Sequence, residues 1–181
     1  MGSSIFCSAA PYHIVSYGVL LGTTFFHSFI NGIIMFRTLQ RPDFATVQSK
    51  LFPIYFSMQT FLPLFLALTY PASKLRGLAS GFSGVLAVAN RWAVLAPLAV
   101  MFTTGAANLL VLEPLTTQCM RDRRAQEKKD GKRSYDAPPH SKEMVALNKR
   151  FGKLHGISSL LNMGTFLATV AYGFDLARRL Q

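Results

Sequence analysis

Four titratable side chains sit where long uncharged stretches end, and they are the residues through which this chain could do chemistry: Arg37, Lys50, Glu113 and His155. A carboxylate at a membrane boundary is costly unless paired, so Glu113 is expected to meet Arg37, Lys50 or His155. Such a pair would clamp helix ends, or more sharply would hold a proton or ligand. A second set lies inside the uncharged stretches at helical spacing: Thr23, His27 and Asn31, then Thr104 and Asn108, then Ser158, Asn162, Thr165 and Thr169. Facing lipid, their donors would be unpaired, so they are expected to turn inward and hydrogen-bond between helices. His27 has no second His, Cys or carboxylate nearby in sequence, which makes a poor metal site. No HExxH, nucleophile elbow, phosphate loop or CxxC is present, so neither catalysis nor a cofactor is expected.

The elements that must position these residues are legible from charge. Of 181 residues, 50% are hydrophobic and only 15% charged, and no charge precedes Arg37. Every Lys, Arg, Asp and Glu lies outside four segments, 12–36, 51–70, 92–112 and 156–174. Each approaches or exceeds the roughly 20 residues that a helix needs to cross a hydrocarbon core. Barrel strands would alternate apolar and polar residues, and these runs do not. The fold class is therefore all-α: an integral membrane four-helix bundle in one domain, 1–181, with interfacial amphipathic helices and a long basic cytosolic loop, 113–155. The uncharged but Gly- and Ser-containing segment 77–90 reads as an amphipathic or re-entrant lead into span three.

A cleaved signal peptide is not expected, because the N-terminus has no Lys or Arg and the first apolar run exceeds an h-region. The start resembles a myristoylation site but has Phe6 where Ser or Thr belongs. Arg37, Arg41 and Lys50 with eleven basic residues in 113–155 lie on one side, against Lys74, Arg76, Arg91, Arg178 and Arg179 on the other. The positive-inside rule puts the first and third loops in the cytosol and both termini across the membrane. Cys7 and Cys119 then fall on opposite sides and cannot pair.

In the first loop, Pro42 suits a first helical position, Asp43 the first turn, and Phe44, Val47 and Leu51 share a face. That helix is expected at the interface, running into span two, where Pro53 and Pro63 favour kinks. In the third loop a helix is expected over 116–129, past a break at Glu113-Pro114, and then a flexible centre, KKDGKRSYDAPPHSK. Next, Met144, Leu147, Phe151 and Leu154 line one face with Lys149, Arg150 and Lys153 elsewhere, as in an interfacial basic helix. Those three cations are expected to contact anionic lipid headgroups, with protein or ribosomal RNA the sharper alternatives. No base-reading pattern is present, so sequence-specific nucleic-acid binding is not expected. Gly18 with Gly22 and Gly152 with Gly156 are expected to allow close helix approach.

Three stretches carry a family likeness: FRTLQRPDFATVQSKLFPIYF (36–56), NLLVLEPLTTQCM (108–120) and KRFGKLHGISSLLNM (149–163). In these, and in the order of spans, the chain resembles the transmembrane-protein-205-like family, a membrane domain of unknown function. The resemblance implies a multi-pass membrane protein without an established catalytic residue set. The function expected is a non-enzymatic accessory or scaffolding component of a membrane assembly, partnered by the bilayer and other membrane proteins. A transporter or channel component working as an oligomer or with partners is the alternative. Base rates favour an endomembrane such as the endoplasmic reticulum over a mitochondrial membrane.

Overall fold

The computed structural model describes residues 8–71 and 79–178. Cys7, the N-terminal start, Lys74, Arg76 and Arg179 lie outside the described residues. Four helices are long and apolar enough to cross a membrane: α1 (Ala10–Thr38), α2 (Arg41–Leu68), α4 (Val88–Asp130) and α5 (Lys142–Arg178). The short α3 (Gly81–Leu86) precedes α4. No strand occurs among the described residues.

Proline chemistry explains where these helices start and how they continue. Gln40 is extended, Pro42 occupies the first turn of α2 where a missing N–H costs nothing, and Asp43 lies in that turn. The segment 41–50 thus runs into span two as one helix, as its sequence suggests. Two prolines in α4 are each preceded by a widened π-turn. The N–H of Ala96 reaches Arg91 O just before Pro97, and the N–H of Glu113 reaches Asn108 O just before Pro114. Widening the turn makes room for the ring and absorbs the lost donor. The break expected at Glu113-Pro114 is therefore absent, and span three runs on to Asp130 without interruption.

The basic loop is also corrected. The helices expected over 116–129 and from Met144 are present, but they pair as a hairpin, and α5 is one 37-residue helix that begins outside the bundle and continues as span four. The face expected to lie on lipid packs against α4 instead. Met144 is fully buried, Cys119 Sγ–H points to Leu147 O at 3.6 Å, and Arg123 Nε–H donates to Asn148 Oδ1 at 3.0 Å with its guanidinium over Phe151. The centre expected to be flexible is closed by hydrogen bonds. Gly131 takes the left-handed conformation that ends the helix. Ser134 N–H then donates to Glu127 at 2.9 Å, Ser141 Oγ–H to Asp130 at 2.6 Å, and Asn148 Nδ2–H to Ser134 O at 3.0 Å.

Close helix approach occurs at a glycine other than those expected. Gly18, Gly22, Gly152 and Gly156 have nothing within 4 Å of a would-be Cβ. At Gly105 a Cβ would lie 2.8 Å from the carbonyl carbon and oxygen of Gln59 and 3.0 Å from Thr60 N, so α4 and α2 touch backbone to backbone. Pro63, four residues beyond Gln59, removes the donor that would otherwise bond that carbonyl. In 77–90, Val85 and Asn90 are buried, and Asn90 Nδ2–H donates to Gly84 O at 2.7 Å.

The antiparallel register follows from contacts at several levels. Ser28 meets Tyr55, Gly105 meets Gln59, Thr104 meets Thr165 and Asn108 meets Asn162. Lys50, Glu113 and His155 therefore share one level, and Arg37 lies about 6 Å further out at 1.5 Å per residue. From that level, 20 or so residues of α4 and α5 reach Trp92 and Asp175, the roughly 30 Å of a hydrocarbon core. Beyond mid-membrane lies an apolar layer in which Leu20, Leu66, Leu98 and Met101 are buried together, with buried polar groups again at the far end, His13 and Asp175 among them. Outward, large apolar side chains stand bare, Trp92 81% and Leu160 74% exposed, as a lipid-facing surface requires.

Candidate functional site

The half of the bundle nearer the hairpin is polar inside. On α1, Thr24, His27, Ser28 and Asn31 fall within two turns. On α2, Gln48, Tyr55 and Gln59 recur at i, i+7 and i+11, one helical face, and all three are buried. The Tyr55 hydroxyl joins the two helices, 3.0 Å from Ser28 Oγ and accepting from Gln59 Nε2–H at 2.8 Å. The His27 ring lies 4.3 Å from that of Tyr55 and 5.2 Å edge-on from Phe52.

Of the sequence-expected intramembrane residues, Asn108 and Asn162 meet across α4 and α5, Asn108 Nδ2–H donating to Asn162 Oδ1 at 3.0 Å. One turn on, the hydroxyls of Thr104 and Thr165 lie 2.7 Å apart. His27 and Asn31 bond each other, with Asn31 Nδ2–H donating to His27 Nδ1 at 3.1 Å. That bond assigns the proton of a neutral imidazole to Nε2. Thr23 turns back onto its own helix, bonding Val19 O. Five buried polar atoms of this half are left without partners: Thr24 Oγ1, His27 Nε2, Gln48 Oε1, Gln59 Oε1 and Asn108 Oδ1. Each such group costs about 1–3 kcal/mol where nothing satisfies it.

The boundary residues behave differently. Arg37, Lys50 and His155 are exposed, and Glu113 is half-buried. Glu113 accepts from the Thr117 hydroxyl at 2.9 Å, and among the described residues the only ion pairs are Arg133 with Glu127 and Arg150 with Asp122. The ion pair expected at Glu113 does not form, because its helix continues and offers a hydroxyl one turn on. His155 stacks on Phe151. Of the three cations expected to contact lipid, Lys149 and Lys153 are exposed, and Arg150 pairs with Asp122 at 3.7 Å.

A second polar centre, at the far end, went unnoticed in the sequence. His13 is fully buried, with Nε2 2.7 Å from the Tyr172 hydroxyl and Nδ1 3.0 Å from Thr69 Oγ1. It ties the start of α1 to the ends of α2 and α5. The buried run His13, Ser16, Leu20, Thr24 has helical periodicity, the signal that identifies it. No cluster of three metal-ligating side chains occurs among the described residues.

Four apolar helices, a polar half-bundle and a basic helical hairpin define a small multi-span helical membrane domain. The chain belongs to the family described as domain of unknown function DUF4149, whose model matches residues 15–125. It is also similar to "Xanthocillin biosynthesis cluster protein D" of Aspergillus fumigatus, 31% identical over 170 residues, which cover 94% of this chain and 90% of that protein. No solved structure matches.

Proposed function

We propose that this chain is a non-enzymatic accessory or scaffolding subunit of a membrane assembly, of the transmembrane-protein-205-like kind, which docks an acidic protein surface on its hairpin. The observation that carries this reading is how the hairpin sorts its charges. Five of its six acids are engaged internally, exposed Glu143 being the exception: Glu113 with Thr117, Asp122 with Gln118 and Arg150, Glu127 with Arg133 and Ser134, Asp130 with Gln126 and Ser141, Asp136 with Arg133 N–H. The exposed cations without an ion pair are Arg121, Arg124, Lys128 and Lys129 on α4 and Lys142, Lys149 and Lys153 on α5.

Distance from the bilayer favours a protein over lipid headgroups. Counting from Glu113 and His155 at 1.5 Å per residue, Lys128 stands about 22 Å and Lys142 about 20 Å out. Screening at physiological salt acts over about 8 Å, so only the cations nearest the base feel anionic lipid. By the positive-inside rule the hairpin faces the cytosol, and we assign the chain to an endomembrane on base rates. The relative named as a biosynthesis cluster protein supports an accessory place beside a biosynthetic activity.

The test uses the full chain in neutral-lipid discs and a fluorescent oligoglutamate peptide, with anionic-lipid discs and a duplex RNA as competing arms. Neutralising the tip (R124Q, K128Q, K142Q) should weaken peptide binding about tenfold and leave enrichment of anionic lipid unchanged, since tip charges lie beyond the screening length. An equal loss of lipid enrichment, tighter binding to RNA than to peptide, or unaltered peptide binding would overturn the reading.

A further inference from the structure

We propose that the polar half of the bundle is a hydrated cleft, opening toward the hairpin end and closed at mid-membrane, which takes up water and small uncharged solutes that both donate and accept hydrogen bonds. This rests on the interior of the spans and is independent of the hairpin.

The unpartnered atoms define the occupant. Gln48 Oε1, Gln59 Oε1 and Asn108 Oδ1 can only accept, and His27 Nε2, given its Asn31 bond, donates. Gln59 and Asn108 are fully exposed to nothing but protein, at 0% accessibility, and Gln48 is 7% exposed. With the Thr24 hydroxyl, which can do either, these donors and acceptors spaced along α1, α2 and α4 match molecules with both functions. No Asp, Glu, Lys or Arg occurs in 51–70 or 92–112, or in α1 before Arg37, so nothing in the interior balances an ion.

The same atoms define the path. Gln48 sits near the boundary level, beside Gly32. Asn108 lies about 8 Å and Gln59 about 14 Å inside the level of Glu113 and Lys50, which is the middle of a 30 Å core. The hydroxyls of Ser28, Tyr55, Thr104 and Thr165 line the same depth. Beyond Gln59 comes an apolar layer, Leu20, Leu66, Leu98 and Met101, which separates these groups from the polar centre at His13. The cleft thus ends blind, with Gln59 as its innermost group.

Cysteine accessibility tests this in vesicles of the full chain with Cys7 and Cys119 replaced by alanine, sidedness being read from tryptic cleavage of the hairpin. Gln59→Cys and Asn108→Cys should react with neutral hydroxyethyl methanethiosulfonate from the hairpin side at least about tenfold faster than Leu66→Cys, because reaction runs through a thiolate that apolar surroundings suppress. The trimethylammonium analogue should react more slowly at both. Rates equal to Leu66→Cys, equal reaction from the far side, or equal rates for the cationic reagent would each overturn the proposal. Hydroxyl-radical footprinting of the unsubstituted chain reads water directly and needs no variant to fold. Tyr55 should be oxidised while the more reactive Met101 is spared, and the reverse pattern would refute a hydrated cleft.

Discussion

Replacing Gly105 by alanine tests the packing argument most sharply, because the atoms it would strike are backbone. The new Cβ would sit 2.8 Å from the Gln59 carbonyl, where ordinary contact begins at 3.4 Å, so α4 and α2 must part by at least 0.6 Å. Overpacking of this size costs about 1–3 kcal/mol, and the helix-propensity gain of alanine over glycine returns only about 0.5–1 kcal/mol. A net loss of about 1–2 kcal/mol lowers the folded-to-unfolded ratio by roughly 5- to 30-fold. Equilibrium unfolding in mixed micelles with increasing dodecyl sulfate, monitored by helix content and by the lone Trp92, measures it. Gly18→Ala and Gly156→Ala, where nothing lies within 4 Å, are matched controls and should lose nothing. Gly105→Ala as stable as those controls would refute the backbone contact, and with it the helix register built on Gly105 and Gln59.

Asn108→Leu and Asn162→Leu should couple in a double-mutant cycle by about 0.6 kcal/mol, the usual size of an intramembrane hydrogen bond; additive losses would break the pair. Met144→Ala removes a fully buried side chain from the hairpin seam and should cost about 2–5 kcal/mol locally, read as faster proteolysis within 113–155 with the spans intact. Burial pushes the Cys119 thiol up, so alkylation at neutral pH should be slow in the native chain and accelerate in Met144→Ala; equal rates would contradict the seam. Burial works to raise the Glu127 carboxyl, but the Ser134 hydrogen bonds and Arg133 override it and hold it below its ordinary value. The stabilisation it lends is complete above the ordinary carboxylate range and lost as pH falls through the lowered value, so hairpin protection should decline below about pH 4, and Glu127→Gln should remove that decline.

The spans were legible because charge is excluded from lipid whatever the tertiary structure, and the segregation of Lys, Arg, Asp and Glu survives in the sequence. Asn108 and Asn162 could be nominated because their polarity repeats against apolar neighbours. Gln48, Tyr55 and Gln59 escaped notice because they sit among aromatics and two prolines in a segment read for its kinks rather than for its buried face. The hairpin was misread for a different reason. Periodicity in 116–129 and 144–155 identifies two amphipathic helices, but an apolar stripe does not say whether lipid or another helix covers it. Gly131 and the prolines after it signalled disorder by composition, whereas side-chain bonds from Glu127, Asp130 and Asn148 close that turn. The glycine that matters was hidden too, since Gly105 has no small partner four residues away and its contact is a carbonyl freed by Pro63 on another helix.

Continuity of α4 gives the molecule a mechanical character. Its 43 residues run unbroken from the far side of the bundle to the hairpin tip, with a backbone pivot at Gly105 and about 38 Å of stiff rod beyond it to Asp130. A tilt of about 5° at that pivot sweeps the tip through about 3 Å. Gly105 rests on the Gln59 carbonyl, and the Gln59 side chain is the innermost polar group of the interior. The deepest polar group of the interior and the charged surface are therefore joined by one continuous helix, so any change in how Gly105 seats on Gln59 is magnified along its length.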